Sequence, residues 1–442
     1  MKLSGWGRYP VVDCRVERFG RQRDLPDLLH GAPTLIARGN GRSYGDAAVN
    51  ADLTLSMLDA DRILAFDAET GLLTCEAGVL VDDILRTFVP RGWFPPVVPG
   101  TRFVTVGGLI AADVHGKNHH HAGTFGAHVE SLTLAVAGGE VLECSRTANA
   151  DLLRATIGGM GLTGVILCAT FRMLPIETAY VLQEVLPAGD VDETMALFEA
   201  SRDWPYSVAW LDTLARGRSL GRALVMRGRP LARHALPAPL AHDPLRTVSG
   251  GLFTVPCDAP SRMLNRVSIG IFNALYYQLG RARGAARPVH YAPFFFPLDG
   301  IGAWNRLYGR RGFVQYQCVL PKTESRGITA LLARIADAGQ SSFLAVLKLL
   351  GPGRAGMLSF PMEGYTLALD FPLRDGTLEL LDALDAITHA HGGRVYLAKD
   401  ACCTPERVRR GYPEWEAFSA VRAAAGGPEP RFASGLSRRL GL

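Results

Sequence analysis

The side chains with the clearest chemical potential lie at residues 115–121, which read HGKNHHH. Imidazoles and a lysine in such a cluster can transfer protons, bind a metal or donate hydrogen bonds to a bound anion. Six glycines lie between residues 100 and 126, and glycine is favoured where the backbone turns sharply or closely approaches a ligand. The sequence therefore predicts a ligand-binding loop. The alternative is a turn between strands whose histidines face solvent.

A metal-dependent hydrolase would use His115, His119 and His121 as ligands. The spacing H-x-x-x-H suits one face of a helix, but Gly116 and Gly123 disfavour a helix here. The stretch also lacks an H-E-x-x-H pattern and a neighbouring carboxylate, so we expect no metal. A non-catalytic lipid-binding protein is a further class, and it would need no glycine-rich loop of this kind.

A second glycine-rich loop, NGRSYGDAAVN at residues 40–50, follows a short apolar run at residues 34–39. Its free backbone N–H groups and polar side chains could cradle a phosphate, and a hairpin turn is the alternative. The spacing G-x-G-x-x-x-G is one residue off the dinucleotide fingerprint, and no helical pattern follows its glycines, Gly39, Gly41 and Gly45. A classical Rossmann site is therefore not expected.

A full G-x-G-x-x-G pattern occurs at residues 159–164, but its context is the reverse of a nicotinamide site. A helix-like segment at residues 150–156 precedes it and the strand-like VILCATFRML follows it, whereas the fingerprint needs strand, turn and helix in that order. We interpret these glycines as a tight turn that lets the backbone approach a planar cofactor.

The elements that must position these loops are short strands and helices, which we assign from period-two and 3.6-residue patterns. Strands are predicted at residues 53–58, 62–67, 72–77, 132–137, 141–144, 179–186, 206–213, 313–320, 343–350 and 365–373. Helices are predicted at residues 81–89, 150–156, 190–202, 325–338 and 376–391. This alternation is typical of an α+β protein with an antiparallel sheet and covering helices.

Length and charge bound the remaining possibilities. A chain of 442 residues suggests two or three domains, and it contains no run of about 18 apolar residues and no secretory signal pattern. We therefore expect a cytoplasmic or peripheral membrane location. Residues 216–290 hold twelve arginines and two aspartates, a local excess of +10 that suits phosphate or an anionic membrane surface. No motif supports a nucleic-acid partner.

Several of these motifs together resemble one known family. ARGNGRSYGD, PGTRFVTVGG, HGKNHH, GLTGVI, FVQYQCVLP, KLLGP, DFPL and YLAKD are similar, in order and separation, to the decaprenylphosphoryl-β-D-ribose 2-oxidase family of the vanillyl-alcohol-oxidase superfamily. The resemblance implies a two-domain α+β fold with an FAD domain of the PCMH type and an inserted substrate domain. It implies FAD-binding parts at residues 1–178 and 394–442, and a substrate domain at residues 179–393 with a mobile loop at about 228–268.

The resemblance also implies which residues contact FAD. Carried over by position, they are Arg38, Gly39, Asn40, Gly41, Arg42, Ser43, Tyr44, Gly45, Asp46, Gly100, Thr101, Thr105, Val106, Gly107, Gly108, His115, Gly116, Lys117, Asn118, Ile166 and Tyr396. In much of the superfamily a histidine of the first loop bonds covalently to the flavin. Arg42 occupies that place here, so we expect non-covalent FAD.

The substrate contacts implied by the resemblance lie on later strands. Lys399 matches the family's active-site lysine and could orient the reacting hydroxyl, or accept its proton if its pKa is lowered. The other catalytic candidates are His115, Gln317 and Lys348, and the substrate-binding set is Trp210, Gln315, Gln317, Lys348 and Lys399. The chain departs from the family pattern in having Ala368 where a cysteine is frequent and Phe295 where a tyrosine is common.

The implied reaction is the FAD-dependent oxidation of the 2-hydroxyl of a polyprenyl-phosphoryl pentose to a 2-keto sugar. The implied partners are a membrane surface and an NAD(P)H-dependent reductase that completes a C2 epimerisation, on the route to a cell-wall arabinan precursor. A flavin enzyme for a soluble polyol or aldonolactone is the alternative. The Arg-rich segment and the FFF cluster at residues 294–296 favour an anionic, apolar substrate over that alternative.

Overall fold

The structure is a computed structural model that describes residues 1–21, 24–248, 251, 253–260, 263–282, 284–340, 342, 344–426 and 430–442. Its strands are β1 Lys2–Leu3, β2 Val12–Asp13, β3 Val16–Arg18, β4 Ile36–Arg38, β5 Thr54–Ser56, β6 Ile63–Asp67, β7 Leu72–Glu76, β8 Trp93–Phe94, β9 Val129–Ala135, β10 Val141–Ser145, β11 Val165–Arg172, β12 Leu174–Pro175, β13 Tyr180–Ala188, β14 Tyr206–Leu211, β15 Ala223–Pro230, β16 Phe253–Thr254, β17 Arg287–His290, β18 Ile301–Gly302, β19 Phe313–Pro321, β20 Ala345–Leu350, β21 Gly364–Pro372 and β22 Arg394–Val395.

The helices lie between these strands and at the C-terminal end. They are α1 Leu25–His30, α2 Val81–Phe88, α3 Val106–Ala111, α4 His119–Ala122, α5 Ala150–Thr156, α6 Val191–Glu199, α7 Ala238–Ala241, α8 Arg266–Arg281, α9 Tyr291–Phe295, α10 Arg326–Ala338, α11 Thr377–Ala390, α12 Pro405–Gly411, α13 Trp415–Gly426 and α14 Gly435–Leu440. No helix in these described ranges is long and apolar enough to cross a membrane.

Two sheets organise the first part of the chain. A three-stranded parallel sheet has the order β3-β5-β4, and a five-stranded antiparallel sheet has the order β10-β9-β11-β7-β6. The predicted strands near residues 53–77 and 132–144 are confirmed as β5, β6, β7, β9 and β10. Most of their apolar side chains pack into buried cores, whereas Leu64 on β6 is exposed. Gly139, with φ +83°, turns β9 into β10, as expected for the Gly-Gly hairpin.

The predicted antiparallel sheet is confirmed as an eight-stranded one. Its order is β17-β13-β15-β14-β20-β21-β19-β22, and every pairing is antiparallel. One face packs against α6, α10 and α11 in a single apolar core. Because side chains alternate along a strand, every second residue of β19, β20 and β21 lies on the opposite face. That face borders the cavity described below.

The C-terminal part of the chain packs back onto the first loops. Ala433 N donates to the carbonyl of Leu35 at 3.0 Å. The Arg439 guanidinium lies 2.9 Å from a carboxylate oxygen of each of Asp46 and Asp400, and the backbone amide of Tyr44 donates to Ala398 at 3.1 Å. The glycine-rich loop at residues 39–45 is therefore held in place by the segment that carries Lys399.

The segment at residues 228–268 has more local structure than its weak periodicity predicts. It contains the end of β15, the one-turn helix α7, β16 and the start of α8. Residues 249, 250, 252, 261 and 262 of this segment lie outside the described residues, as do Arg283 and Phe343 of the predicted patterns. The apolar stretch at residues 271–279 lies within α8, which Asn265 caps in a capping box.

Candidate active site

A cavity of about 780 Å³ lies between the two glycine-rich loops and the free face of the eight-stranded sheet. Its loop side is formed by residues 39–44 and 98–101 and by ten residues between Val104 and Lys117, and the turn at Gly161 and Gly164 adds to this side. Its sheet side carries side chains from β14, β19, β20 and β21. This volume is typical of sites for large ligands.

Local geometry explains why the first loop needs glycine. A Cβ at Gly39 would lie 2.2 Å from the hydroxyl of Thr105, and one at Gly45 would lie 1.9 Å from the carbonyl oxygen of Asp400. Gly41 has φ +62°, a left-handed conformation that favours glycine. Thr105 in turn caps α3, because its hydroxyl accepts a hydrogen bond from Gly108 N at 3.2 Å. The two loops are thus packed directly against each other.

Arg42 presents a cationic side chain to the cavity. Its guanidinium carbon lies 4.0 Å from the ring centroid of Trp6, which fixes the side chain by a cation–π contact. Burial lowers the pKa of Arg42, and the nearby Asp299 opposes that shift. Arg42 Nε is buried and has no hydrogen-bond partner among the described residues. A buried donor of this kind is expected to find an acceptor on a ligand.

His115 and Gln317 form a hydrogen-bonded pair whose proton positions can be worked out. The Thr366 hydroxyl donates to the carbonyl of Cys318 at 2.9 Å, so its oxygen accepts from Gln317 Nε2 at 3.2 Å. The same amide nitrogen lies 3.0 Å from His115 Nε2, which must therefore accept. This places the imidazole proton on Nδ1, which is buried without a partner in the part of the chain that the structure describes.

His115 is held neutral by its surroundings. Burial lowers the pKa of His115 well below its ordinary value, and the positive charges of Lys348 and Lys399 add to that effect. The ring packs beside Phe360 and Tyr396, with centroid distances of 5.4 Å to each. A neutral imidazole with a free Nδ1–H can donate a hydrogen bond to a ligand but does not act as a cation.

Three lysines line the cavity. Desolvation lowers the pKa of Lys399 to about 7, with Asp370 opposing and Lys348 reinforcing the shift. Desolvation likewise lowers the pKa of Lys348 to about 8 and that of Lys117 to about 7. Lys399 Nζ lies 3.8 Å from the ring centroid of Tyr44. Amines with such pKa values can exchange protons near neutral pH.

A carboxylate stands behind this group of lysines. The side-chain amide of Gln315 donates to Asp370, and burial raises the pKa of Asp370 to about 7. Asp370 and Thr366 were missed from the sequence, although both lie on β21 in alternation with Ala368. The period-two rule applied to β21 would have placed the three side chains on the cavity face.

Most of the predicted site residues line the cavity. The substrate set does so throughout, as do all predicted cofactor residues except five. Arg38 donates instead to the carbonyls of Ser4 and Ala48, and Asn118 donates to that of Pro96 at 2.8 Å. The others support the loops from behind: Gly45 against Asp400, Asp46 in its ion pair with Arg439, and Val106 in the apolar core.

The histidine cluster does not converge on a metal. His119 Nδ1 accepts a hydrogen bond from Gly351 N at 3.1 Å, and His121 Nε2 lies 2.7 Å from the carbonyl oxygen of Arg202. The predicted absence of a helix holds at His115 but not further on, because residues 119–122 form the single turn α4. No group of three or more metal-ligating side chains occurs within the described ranges.

The residues around the cavity fit FAD. The loop side offers glycine-rich backbone and small side chains, and Ile166 and Tyr396 provide flat apolar surface. The two orphaned donors, Arg42 Nε and His115 Nδ1, belong to cavity-lining residues and match acceptors that FAD carries on its phosphates and ring. Lys399 and Lys348 line the same cavity.

Comparisons with known proteins agree with this geometry. Residues 30–145, which contain both glycine-rich loops, match a family model described as an FAD binding domain. The chain is 40% identical to decaprenylphosphoryl-beta-D-ribose oxidase of Mycolicibacterium smegmatis, over 100% of this chain and 97% of that protein. It is 39% identical to an uncharacterized protein of Streptomyces coelicolor, over 80% of this chain and 97% of that protein.

A further relative is similar to only part of the chain. L-gulonolactone oxidase of Mus musculus is 35% identical over 34% of this chain and 35% of that protein. By contrast, the similarity to the Mycolicibacterium protein extends over both sides of the cavity. The chain is therefore an FAD-dependent oxidoreductase that belongs to the decaprenylphosphoryl-β-D-ribose oxidase family.

Proposed function

We propose that this enzyme oxidises the 2-hydroxyl of a polyprenyl-phosphoryl pentose, of the decaprenylphosphoryl-β-D-ribose type, to the 2-keto sugar. The observation that carries the proposal is the polar cluster of Lys399, Lys348, Gln317 and His115 in a cavity that is also lined by apolar and aromatic side chains. Such a site can hold a sugar at its polar end and a prenyl chain along its apolar wall. The name of the relative from Mycolicibacterium smegmatis supports this substrate class.

In the proposed mechanism, FAD held by the glycine-rich loops and Tyr396 would supply the acceptor for the hydride from C2 of the sugar. Lys399 Nζ accepts the hydroxyl proton as the C2–H bond breaks, since a pKa of about 7 leaves much of the amine neutral at physiological pH. The resulting ammonium then donates a hydrogen bond to the new carbonyl oxygen. Gln317 and Lys348 orient the other hydroxyls, and Gln315 and Trp210 border the sugar from β19 and β14.

The cofactor contacts follow from the cavity lining. We assign FAD contacts to the predicted residues that line the cavity. They are residues 39–44, Gly100, Thr101, Thr105, Gly107, Gly108, residues 115–117, Ile166 and Tyr396. His115 Nδ1 supplies a donor there, and Lys117 Nζ, which also donates to the carbonyl of Phe294, supplies a second. Because Arg42 stands where a tethering histidine occurs in the superfamily, the proposal includes non-covalent binding.

The proposed domain division follows the sheets except at β22, Arg394–Val395, which lies in the C-terminal part but pairs with β19 at the edge of the eight-stranded sheet. Residues 1–178, with β3 to β7 and β9 to β11, and residues 394–442, which pack onto the first loop, would form the FAD domain. Residues 179–393 would form the substrate domain on the eight-stranded sheet. The active site then lies between the two parts, which is a preferred position for ligand sites.

The proposed partners follow from the substrate. A 2-keto sugar would be reduced by a separate NAD(P)H-dependent reductase, so that the two enzymes together epimerise C2 in making a cell-wall arabinan precursor. A prenyl-phosphoryl substrate resides in a membrane, so we also propose a peripheral membrane location. The excess of +10 in residues 216–290 supports attraction to an anionic surface.

A soluble polyol or aldonolactone is the alternative substrate, and the similarity to L-gulonolactone oxidase supports it over only 34% of this chain. Anaerobic reduction of the flavin distinguishes the two. We expect prenyl-phosphoryl ribose to bleach the flavin absorbance, and free ribose, polyols and gulonolactone to do so at least about 100-fold more slowly at equal concentration. Faster bleaching by a free polyol or lactone would contradict the proposal.

A further inference from the structure

Helix α8, Arg266–Arg281, exposes a row of aliphatic side chains to solvent. Its inner face packs on the eight-stranded sheet through Ile269, Asn273, Tyr277 and Gly280. The opposite face carries a stripe of aliphatic side chains that are 59–70% exposed: Val267, Ile271, Leu275 and Leu279. These four residues recur every fourth position, so they lie side by side along the helix.

The inner contacts show that α8 is a fixed part of the fold. Asn273 Nδ2 donates to Asp212 Oδ1 at 2.7 Å, and the Tyr277 hydroxyl donates to the carbonyl of Ala188 at 3.2 Å. A Cβ at Gly280 would lie 2.2 Å from the side chain of Leu224, so the helix approaches the sheet closely. The aliphatic stripe is therefore held facing outward, where it forms a contiguous apolar patch that water solvates poorly.

An aromatic path connects this helix to the cavity. The ring centroids of Trp210 on β14 and Tyr276 on α8 are 4.9 Å apart, and those of Tyr276 and Phe272 are 5.6 Å apart. All three rings line the cavity, and Phe272 is adjacent in sequence to Ile271 of the outer stripe. One helix thus borders both the interior of the cavity and the outer surface.

The charges around α8 indicate what covers the stripe. Arg266 and Arg281 are exposed at the two ends of the helix, and Arg287, also exposed, lines the cavity. The sequence of α8 contains no acidic residue. An aliphatic face flanked by arginines complements the hydrocarbon and the anionic headgroups of a lipid leaflet, which is the arrangement of interfacial helices.

We propose that the outward face of α8 is a membrane-docking surface, whose aliphatic stripe inserts into an anionic lipid bilayer and places the aromatic wall of the cavity at the hydrocarbon boundary. The prenyl chain of the substrate would then pass from the bilayer along Phe272, Tyr276 and Trp210 without crossing water. The inference deepens the proposed function and rests on it for the substrate, but vesicle binding itself does not require any substrate.

The test is sedimentation of the FAD-loaded full chain with vesicles of phosphatidylcholine and phosphatidylglycerol. We expect the Ile271→Gln/Leu275→Gln double variant to lose at least about tenfold in apparent vesicle affinity, because two inserted side chains become polar. Leu64→Gln is the matched control, since Leu64 is an aliphatic residue that is 47% exposed on β6. The Leu64→Gln variant should bind vesicles as the unmodified chain does. Raising the salt concentration should weaken vesicle binding by both the Leu64→Gln variant and the unmodified chain.

Two further measurements keep the outcomes distinct. Flavin bleaching by a short-chain, water-soluble prenyl-phosphoryl ribose should be equal in all three proteins, whereas bleaching by vesicle-borne substrate should fall in the double variant alone. Vesicle binding that is absent in the unmodified chain, or unaffected in the double variant, would overturn the proposal. So would a dimer in buffer that the double variant dissociates, because a second copy would then cover the stripe. Failure of the soluble substrate in every protein would instead contradict the proposed function.

Discussion

The side-chain amide of Gln317 lies 3.0 Å from Nε2 of His115 and fixes the tautomer of that histidine. The amide can only donate at this position, because its orientation is set by Thr366, whose own proton goes to the carbonyl of Cys318. His115 therefore carries its proton on Nδ1, the nitrogen without a partner among the described residues. The Nδ1–H of His115 can therefore donate a hydrogen bond to a ligand, and its protonation depends on the contact with Gln317.

Replacing Gln317 should chiefly change the tautomer of His115. In Gln317→Leu the imidazole loses the hydrogen bond that fixes its tautomer, and we expect substrate-driven flavin bleaching to slow about 10- to 100-fold. Nitrogen NMR of histidine-labelled protein should show a single Nδ1-protonated form in the unmodified chain and a mixture in the variant. Thr366→Ser, which keeps the hydroxyl that orients the Gln317 amide, is the control; equal losses in both variants would contradict this role for Gln317.

Ala368 lies on the cavity face of β21 between Thr366 and Asp370. No cysteine lines the cavity within the described residues, so alkylation of thiols should leave turnover of the unmodified enzyme nearly unchanged. In Ala368→Cys a thiol would face the lysines, whose positive charge favours the reactive thiolate. We expect near-normal turnover that iodoacetamide abolishes, and substrate should protect against this loss. An Ala368→Ser variant controls for the change in size.

The lysines of the cavity should lower the stability of the protein without cofactor. The pKa of Lys348 is about 8 in the folded chain, below its ordinary 10.5, so the unfolded chain binds more protons between these values. The burial of Lys348 therefore lowers the free energy of unfolding by its full amount below pH 8, and this loss of stability is relieved as the pH rises toward 10.5. Lys348→Met should therefore raise the free energy of unfolding at pH 7 by on the order of 1–2 kcal/mol, and by less at pH 10. Urea unfolding at both pH values measures this, with Lys2→Met as the exposed control.

The sequence was most informative where structure is local. The hairpin at Gly138 and Gly139 and the helix Ala150–Thr156 follow from turn residues and from a short apolar period, and both lie where they were predicted. Such signals depend on neighbours in the chain, so no knowledge of the fold was needed. The glycine-rich loops were also predicted from local sequence, because positions where the backbone packs closely favour glycine.

The features that the sequence did not predict depend on contacts between residues that are distant in the chain. Asp370 meets Gln315 because β19 and β21 pair in one register, and Gln317 meets a histidine that is 202 residues away. Helix α8 was missed as a helix because its aliphatic residues face outward, which contradicts the usual rule that apolar side chains point to the core. Neither pairing register nor the side that faces a membrane can be obtained from local pattern alone.

The non-covalent state of the cofactor is open to a direct test. Arg42 lines the cavity, and its guanidinium cannot form the linkage that a histidine forms with flavin in this superfamily. Acid precipitation of the loaded protein should leave the yellow colour in the supernatant. Colour retained in the pellet would contradict the prediction. Arg42→Gln should also release FAD more readily in dilution, because a cationic contact is lost while the fold is kept.

Lys399 should control the pH dependence of the reaction. Its pKa of about 7 lies below the ordinary 10.5, so the amine loses its proton as the pH rises through 7 and becomes able to accept one from the substrate. We expect the rate of anaerobic flavin bleaching to rise between pH 6 and pH 8 and then to level off. Lys399→Ala should keep its flavin spectrum but bleach on the order of 100-fold more slowly, without that rise. Lys399→Arg should not restore the rate, because a guanidinium stays protonated. A Lys399→Ala enzyme with normal turnover would remove Lys399 from the mechanism and leave His115, Gln317 and Lys348 as the remaining catalytic candidates.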